Sequence, residues 1–224
     1  MKVLVIAPHP DDECIGVGGT IAKRTASGNE VHVCIVTKGK PPFFSTELVD
    51  RGRSECRAAM KLLGVKDVTF LDLPAARLDT IPMMEIIQEI GRVIARVKPD
   101  EVFIPHHGDV HIDHKLVHEA SMVCVRPLVG TQIKRVYAYE TMSSTEWDMP
   151  NSNNNFTANV YEDVTDFEDK KLMALQCYES QMKKKPAARS LPSISAHDRY
   201  RGSLVGVEFA EAFSLVREIK KGVS

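Results

Sequence analysis

Hydrophobic positions along the chain follow two different periods. Short apolar runs at Val3-Leu4-Val5-Ile6, Val31 to Thr37, Val68 to Leu71 and Glu101-Val102-Phe103-Ile104-Pro105 read as strands buried on both faces. Between them the spacing becomes helical. Glu47 to Leu63 forms one helical stretch, stopped by Gly64, and Ile81, Met84, Ile87, Ile90, Ile94 and Val97 make an apolar stripe that Pro99 terminates. A shorter helix is expected over Thr20 to Gly28, with Gly28 as its C-cap, and another from a cap at Asp113 through Val117, Ala120 and Cys124.

Beyond residue 130 the signal thins. Residues 134 to 140 alternate as a half-exposed strand, residues 143 to 157 are polar enough for a long surface loop, and Asn159-Val160-Tyr161 is a short strand. Thr165-Asp166-Phe167-Glu168 has capping-box spacing and opens a helix reaching about Met182. The stretch from Lys183 to Gly202 reads as a charged, solvated surface, and Phe209 to Ile219 packs back through Phe209, Phe213 and Val216. Strands alternating with helices predict an α/β fold with a doubly wound, Rossmann-like, mostly parallel sheet in three layers. The expected strand order is 3-2-1-4-5, with extra C-terminal strand(s) and helices.

Composition narrows the function classes. The chain has 224 residues, 43% hydrophobic and 26% charged, which fits one domain over 1–224. Its 29 basic and 30 acidic residues nearly cancel, which argues against a nucleic-acid partner. No apolar run approaches the ~18 to 20 residues of a membrane span, and the N-terminal run is shorter than a secretory core of ~7 to 15, so a cytoplasmic protein is expected. Five cysteines, Cys14, Cys34, Cys56, Cys124 and Cys177, are odd in number and make no Cys-x-x-Cys pair, so free thiols are expected and Cys14 is read as packing.

Two of the buried strands end on proline and run straight into costly polar clusters. The first continues as Ala7-Pro8-His9-Pro10-Asp11-Asp12-Glu13, and the fourth as His106-His107-Gly108-Asp109-Val110-His111-Ile112-Asp113-His114. An imidazole and three carboxylates at the end of a buried strand ask for a compensating cation, and a metal is the natural one. His9 and Asp12 can share one face of a tight turn while Asp11 points elsewhere; alternatively, the three acids simply cap a helix. Five of the chain's eight histidines lie between 106 and 118. In the expected order, strands 1 and 4 are neighbours at the reversal point, so the two clusters meet where doubly wound folds bind ligands. Gly16, Gly18 and Gly19 do not complete a dinucleotide fingerprint and read as clearance for backbone around the site.

The first cluster together with His111-Ile112-Asp113-His114 resembles the two signature motifs of the PIG-L/LmbE-like zinc-dependent N-deacetylase family. The likeness extends through Arg53, Glu55, Tyr178-Glu179-Ser180-Gln181 and Tyr200-Arg201-Gly202-Ser203. It implies His9, Asp12 and His114 as metal ligands, a donor set that suits one Zn2+ per chain, with Fe2+ or Co2+ as alternatives. His118, at i,i+4 from His114, has metal-pair spacing too, but the resemblance selects His114. Asp11 is then the general base, His111 stabilises the oxyanion or protonates the leaving amine, and Asp113 sets the tautomer of His111 and raises its pKa. Arg53 is expected to contact substrate. Some relatives place a tyrosine just before the catalytic histidine; positions 109 and 110 here are Asp109 and Val110, so Tyr200 becomes the candidate donor at the rim.

The implied activity is hydrolysis of an N-acetyl group from an N-acetylated amino sugar or its conjugate, of the N-acetylglucosamine type, releasing acetate and a free amine. The expected partner is a small-molecule amino-sugar substrate, and homo-oligomerisation stays open. A metal-dependent phosphoesterase on a similar Asp/His site is the alternative, and a binding module with a structural metal is a third reading.

Overall fold

In the structure, a computed structural model describing residues 1–149 and 154–220, seven strands form one sheet in the order β3-β2-β1-β4-β5-β7-β6. The strands are β1 (Lys2–Ala7), β2 (Glu30–Lys38), β3 (Asp67–Pro74), β4 (Glu101–Pro105), β5 (Arg135–Tyr139), β6 (Val160–Asp163) and β7 (Ala210–Glu218). The first five are parallel in the order 3-2-1-4-5, and β7 adds antiparallel to both β5 and β6. The helices are α1 (Asp12–Ala26), α2 (Thr46–Leu63), α3 (Met83–Val97), α4 (Ile112–Cys124), α5 (Glu168–Gln176) and α6 (Leu191–Ser203).

The uninterrupted apolar runs make physical sense once both faces of the sheet are covered. Val3, Val5 and Ala7 of β1 join a core with Ile15, Val17 and Ile21 of α1, Cys56, Ala59, Met60 and Leu63 of α2 and Leu175 of α5. Leu4 and Ile6, pointing the other way, join a second core with Ile86, Ile90, Val93 and Val97 of α3 and Val117 and Ala120 of α4. Phe103 divides from Val102 and Ile104 in the same manner. Side-chain alternation at period two therefore feeds two cores, and neither face can accept a polar residue. Gly64, at φ 83°, closes α2 in the left-handed conformation that its terminal amides require. Among the described residues, no helix is long and apolar enough to cross a membrane.

Several boundaries differ from the sequence expectation. The helix expected over 20–28 begins at Asp12, because its first turn is the acidic motif itself. His111, not Asp113, caps α4: its side chain accepts the Asp113 amide, and Asp113 falls in the first turn. The helix expected from Thr165 to Met182 is shorter, covering Glu168–Gln176 after a short 3-10 turn at Thr165–Phe167. The stretch read as solvated surface contains α6, capped by Ser190, which buries only Ile194, Asp198 and Gly202. One buried position every turn, most of them not apolar, is a pattern that hydrophobic periodicity does not detect. Residues 150–153 of the expected surface loop lie outside the described residues.

Lys171 of α5 explains that pattern. It is fully buried, and its Nζ lies 2.6 Å from Asp198 of α6 and 2.8 Å from Glu211 of β7. Glu211 in turn accepts the amides of Gly19 (2.8 Å) and Thr20 (2.7 Å) in α1. The clasp thus ties the C-terminal third to the helix that begins at the acidic motif. The glycines of α1 serve it and its neighbours rather than the site: a Cβ on Gly18 would meet Lys171 at 3.0 Å, and one on Gly16 would collide with the Tyr139 ring. Lys171→Met should leave two buried carboxylates without their cation and cost about 3 to 5 kcal/mol in chemical denaturation. A loss below about 1 kcal/mol would mean that the clasp relaxes into solvent.

Candidate active site

β1 and β4 run side by side, with Val3, Leu4 and Val5 opposite Glu101, Val102 and Phe103, so their proline-terminated ends open at the same edge. His9 follows β1, Asp11 and Asp12 start α1, and His111, Asp113 and His114 sit where α4 begins. Residues about a hundred apart in sequence therefore converge. His9 Nδ1 lies 3.1 Å from Asp12 Oδ2, His114 Nε2 lies 3.2 Å from His9 Nδ1, and His114 Nε2 lies 3.2 Å from Asp12 Oδ2.

The remaining ring nitrogens decide what those three atoms are. His9 Nε2 donates to Asp113 Oδ2 at 3.0 Å, and His114 Nδ1 donates to Asp109 Oδ2 at 2.9 Å. Each neutral imidazole then turns a lone pair toward Asp12. Three acceptor atoms in mutual contact repel unless a cation stands among them, and two ligands at ~2.0 Å in a tetrahedron are themselves about 3.3 Å apart. The triangle fits a tetrahedral divalent ion with its fourth position open. The His111 ring is close as well, and each of His9, His111 and His114 offers a potential ligand atom within 4.8 Å of the others. That spread is wider than the triangle, and His111 Nδ1 already accepts the Asp113 amide at 3.1 Å.

Without an ion, protons answer the same demand. Burial alone would depress both ring pKa values, but bonds to Asp113 and Asp12 outweigh it and raise His9. The Asp12 charge and the Asp109 bond carry His114 up to about 10. Asp12 moves the opposite way: burial would raise it, yet His114 and His9 hold it well below the usual carboxylate range.

Asp11 is set apart from this triangle. It occupies the N-cap position of α1 without capping it, at φ 119°, a conformation an aspartate adopts only under constraint. One carboxylate oxygen accepts from Arg189 Nη1 at 2.8 Å, while the other is buried with no partner among the described residues. Burial lifts its pKa to about 7 even against the Arg189 charge. The helix-cap alternative for this residue is thereby excluded.

Two expected roles need correction. The Asp113 carboxylate does not hold His111; it holds His9 and accepts the Ala76 amide at 2.6 Å. His111 is consequently lowered rather than raised, by burial first and then by the nearby His9 and His114 charges. With Nδ1 accepting an amide, its proton sits on Nε2. Tyr200 does not reach the site: it is 57% exposed, because the inward face of α6 is formed by Ile194, Asp198 and Gly202. Arg53 does line the cavity of about 420 Å3 that opens from His9, Asp11 and His111, stacked at 4.7 Å over Phe70 and paired with Asp72. Of the two loop aromatics, Phe44 lines that cavity and Phe43 is exposed.

Sequence reasoning missed Asp109 and Arg189. Asp109 lay inside the histidine cluster, five residues before His114, and an acid at that distance from a ligand histidine was the available signal. Arg189 sits in the stretch read as surface and gave none. It also donates to Ser143 Oγ at 2.6 Å and approaches Asp12 at 3.4 Å. The further motif residues act as braces. Tyr178 donates to Glu13, Glu55 accepts the Ser180 amide (3.1 Å) and hydroxyl (2.5 Å), and Arg201 grips Glu140 at 2.9 and 2.7 Å.

A doubly wound sheet carrying two imidazoles, an aspartate and a free buried carboxylate at its switch point defines a hydrolase-type metal site. The profile of the PIG-L family, GlcNAc-PI de-N-acetylase, matches residues 4–125, more than half of the chain, and the chain belongs to that family. It is 28% identical over 225 residues to the diacetylchitobiose deacetylase of Thermococcus kodakarensis, an alignment covering 96% of this chain and 83% of that protein. Among solved structures it resembles the conserved protein TT1542 from Thermus thermophilus, with a TM-score of 0.79, 24% identity and coverage of 98% and 96%. It also resembles the N,N'-diacetylchitobiose deacetylase from Pyrococcus horikoshii, with a TM-score of 0.77, 25% identity and coverage of 96% and 83%.

The buried charges make the metal-free protein sensitive to alkali. Burial raises Glu13 to about 8 and Glu168 to about 7, alongside Asp11 and His114. All four folded pKa values exceed their unfolded ones, so the stability they confer is complete at low pH and is lost as pH rises through the folded values. Thermal melts of metal-free protein should therefore show Tm falling between about pH 7 and pH 10. A flat profile would mean that these groups are solvated in the absence of metal.

Proposed function

We propose that the protein is a metal-dependent N-deacetylase acting on an N-acetylated amino sugar or its conjugate of the N-acetylglucosamine type. The observation that carries this reading is the triangle of three lone pairs beside a buried, half-unpartnered Asp11. The family membership and the deacetylase relatives supply the substrate class. His9, Asp12 and His114 would hold one divalent ion, for which two imidazoles and a carboxylate favour zinc. Such an ion supplies Lewis acidity, polarising the amide carbonyl and making water a nucleophile near neutral pH.

The chain's own residues account for the proton movements. Asp11, through its unpartnered oxygen, takes a proton from the attacking water as the water oxygen bonds to the carbonyl carbon. His111, neutral with its proton on Nε2, donates a hydrogen bond to the carbonyl oxygen as charge develops there. When the C–N bond breaks, the proton on Asp11 passes to the departing nitrogen, leaving acetate and the free amine. Asp113 and Asp109 fix the rings of His9 and His114, and Arg189 holds Asp11 in its strained position. The cytoplasmic expectation and the single-domain reading accord with this assignment.

His9→Ala, Asp12→Ala and His114→Ala should each lose most of about one bound divalent ion per chain, read by metal analysis after dialysis. Retention of the full metal content in all three would remove the ligand assignment. Asp11→Asn separates base from ligand: the metal should stay while kcat for acetate release from N-acetylglucosamine conjugates falls roughly 10² to 10⁴-fold. Loss of the ion in that variant would make Asp11 a ligand, and normal turnover would take the base role from it.

A further inference from the structure

The cavity beyond the candidate metal triangle has a charge imbalance that amide hydrolysis does not require. Four of its lining side chains are cationic, Lys38, Arg53, Lys183 and Arg189, and Asp11 is its only lining carboxylate. Two of the cations are already satisfied. Arg189 is committed to Asp11 and Asp12, and Arg53 to Asp72. Lys38 reaches only that same Asp72, at 3.9 Å, a carboxylate Arg53 already engages. Lys183 makes no ion pair among the described residues. Two ammonium groups thus face a concave space without counter-charge, where low-dielectric walls concentrate their field.

Their placement separates this charge from the reacting centre. Lys38 ends β2, and Lys183 follows the Tyr178 to Gln181 segment that Glu55 ties to α2. Between them the wall is apolar, formed by Phe44, Leu48 and Val49. An acetamido group held at His9, Asp11 and His111 leaves the rest of its molecule along that wall, within reach of both lysines. Neutral sugar hydroxyls would give the two ammonium groups hydrogen bonds but no charge. A carboxylate or phosphate gives both, and an ammonium is a point charge that accepts either geometry.

Resting on the deacetylase reading, we propose that the substrate is an anionic conjugate: an N-acetylated amino sugar whose aglycone carries a carboxylate or phosphate, received by Lys38 and Lys183. These two lysines set specificity and take no part in proton transfer.

The test compares three glycosides of N-acetylglucosamine of similar size, one neutral, one bearing a carboxylate and one a phosphate, on the full-length, metal-loaded protein. The kcat/KM for acetate release should favour the anionic glycosides by roughly 5-fold per lysine, the upper end for a partly exposed ion pair. That preference should shrink as salt approaches about 1 M, where the screening length is about 3 Å. In Lys38→Gln, Lys183→Gln and the double variant, the anionic-to-neutral ratio should fall stepwise, through KM rather than kcat. A preference confined to one anion identifies which acid the aglycone carries. Equal kcat/KM on neutral and anionic glycosides, or a ratio unmoved in the double variant, overturns the proposal while leaving the deacetylase reading intact. If no glycoside releases acetate, that reading fails instead, and calorimetric binding decides the anion proposal: anionic glycosides binding no tighter than the neutral one overturn it.

Discussion

Three lone pairs held about 3 Å apart are the constraint around which the rest of this molecule is arranged. Left alone, His9 Nδ1, Asp12 Oδ2 and His114 Nε2 would move apart or trap protons, and the upward shifts of both histidines are that second response. What keeps them together is a carboxylate behind each ring. Asp113 is anchored by the Ala76 amide, and Asp109 by the His111 amide at 2.8 Å and the Thr145 hydroxyl at 3.1 Å. Each anchor commits a buried acid to fixing the tautomer of a histidine. Preorganisation of this kind lets a site select its cation by geometry rather than reorganise around it.

The sheet supplies the other half of the constraint. Because β1 and β4 are parallel neighbours across the reversal of strand order, the chain must leave both at one edge, and proline at each end prevents either strand from running on. The turn after β1 is so short that Asp11 is forced to φ 119°, which faces its carboxylate away from the α1 amides it would otherwise cap. Arg189 comes from the far end of the chain to hold it there, and the Lys171 clasp fixes α6, which follows Arg189, against α1 and β7. The strain at the base is local, and the elements that oppose it come from three parts of the sequence.

The parts of this design that were legible in the sequence are those that announce themselves by pattern. The strand runs up to Ile104, the α3 stripe and the two polar clusters after proline placed the sheet order and the convergence of His9, Asp11, Asp12, His111 and His114. The C-terminal third was poorly legible for a physical reason. α6 buries an aspartate, a glycine and one isoleucine, and α5 buries a lysine, so their inward faces look like outward ones. Side-chain partnership was harder still. Sequence spacing placed Asp113 beside His111, and in the folded chain its backbone does touch that ring, yet its carboxylate crosses to His9, 104 residues away. Adjacency in a helix N-terminus fixes where a backbone lies and not which of two histidines a carboxylate can reach.

The same partnerships bear on the choice between amide and phosphate-ester hydrolysis. A two-metal phosphoesterase needs a second set of donors about 3.5 to 4 Å beyond the first, usually bridged by a shared carboxylate. Near this triangle the acids that could build one are already engaged: Asp113 with His9 and backbone amides, Asp109 with His114, Ser144 and Thr145, and Asp11 with Arg189. His106 gives Nε2 to the Asn154 carbonyl at 3.0 Å and His118 gives Nδ1 to the Pro105 carbonyl at 2.8 Å, so the neighbouring histidines serve the loop that carries the site. Among the described residues, one set of three converging donors is therefore available, with one buried carboxylate oxygen left over. A single polarising ion and one base match the needs of a planar amide, whose attack generates one oxyanion and one leaving nitrogen. For that reason the donor arrangement, and not the fold alone, sets this chain among the deacetylases of its family.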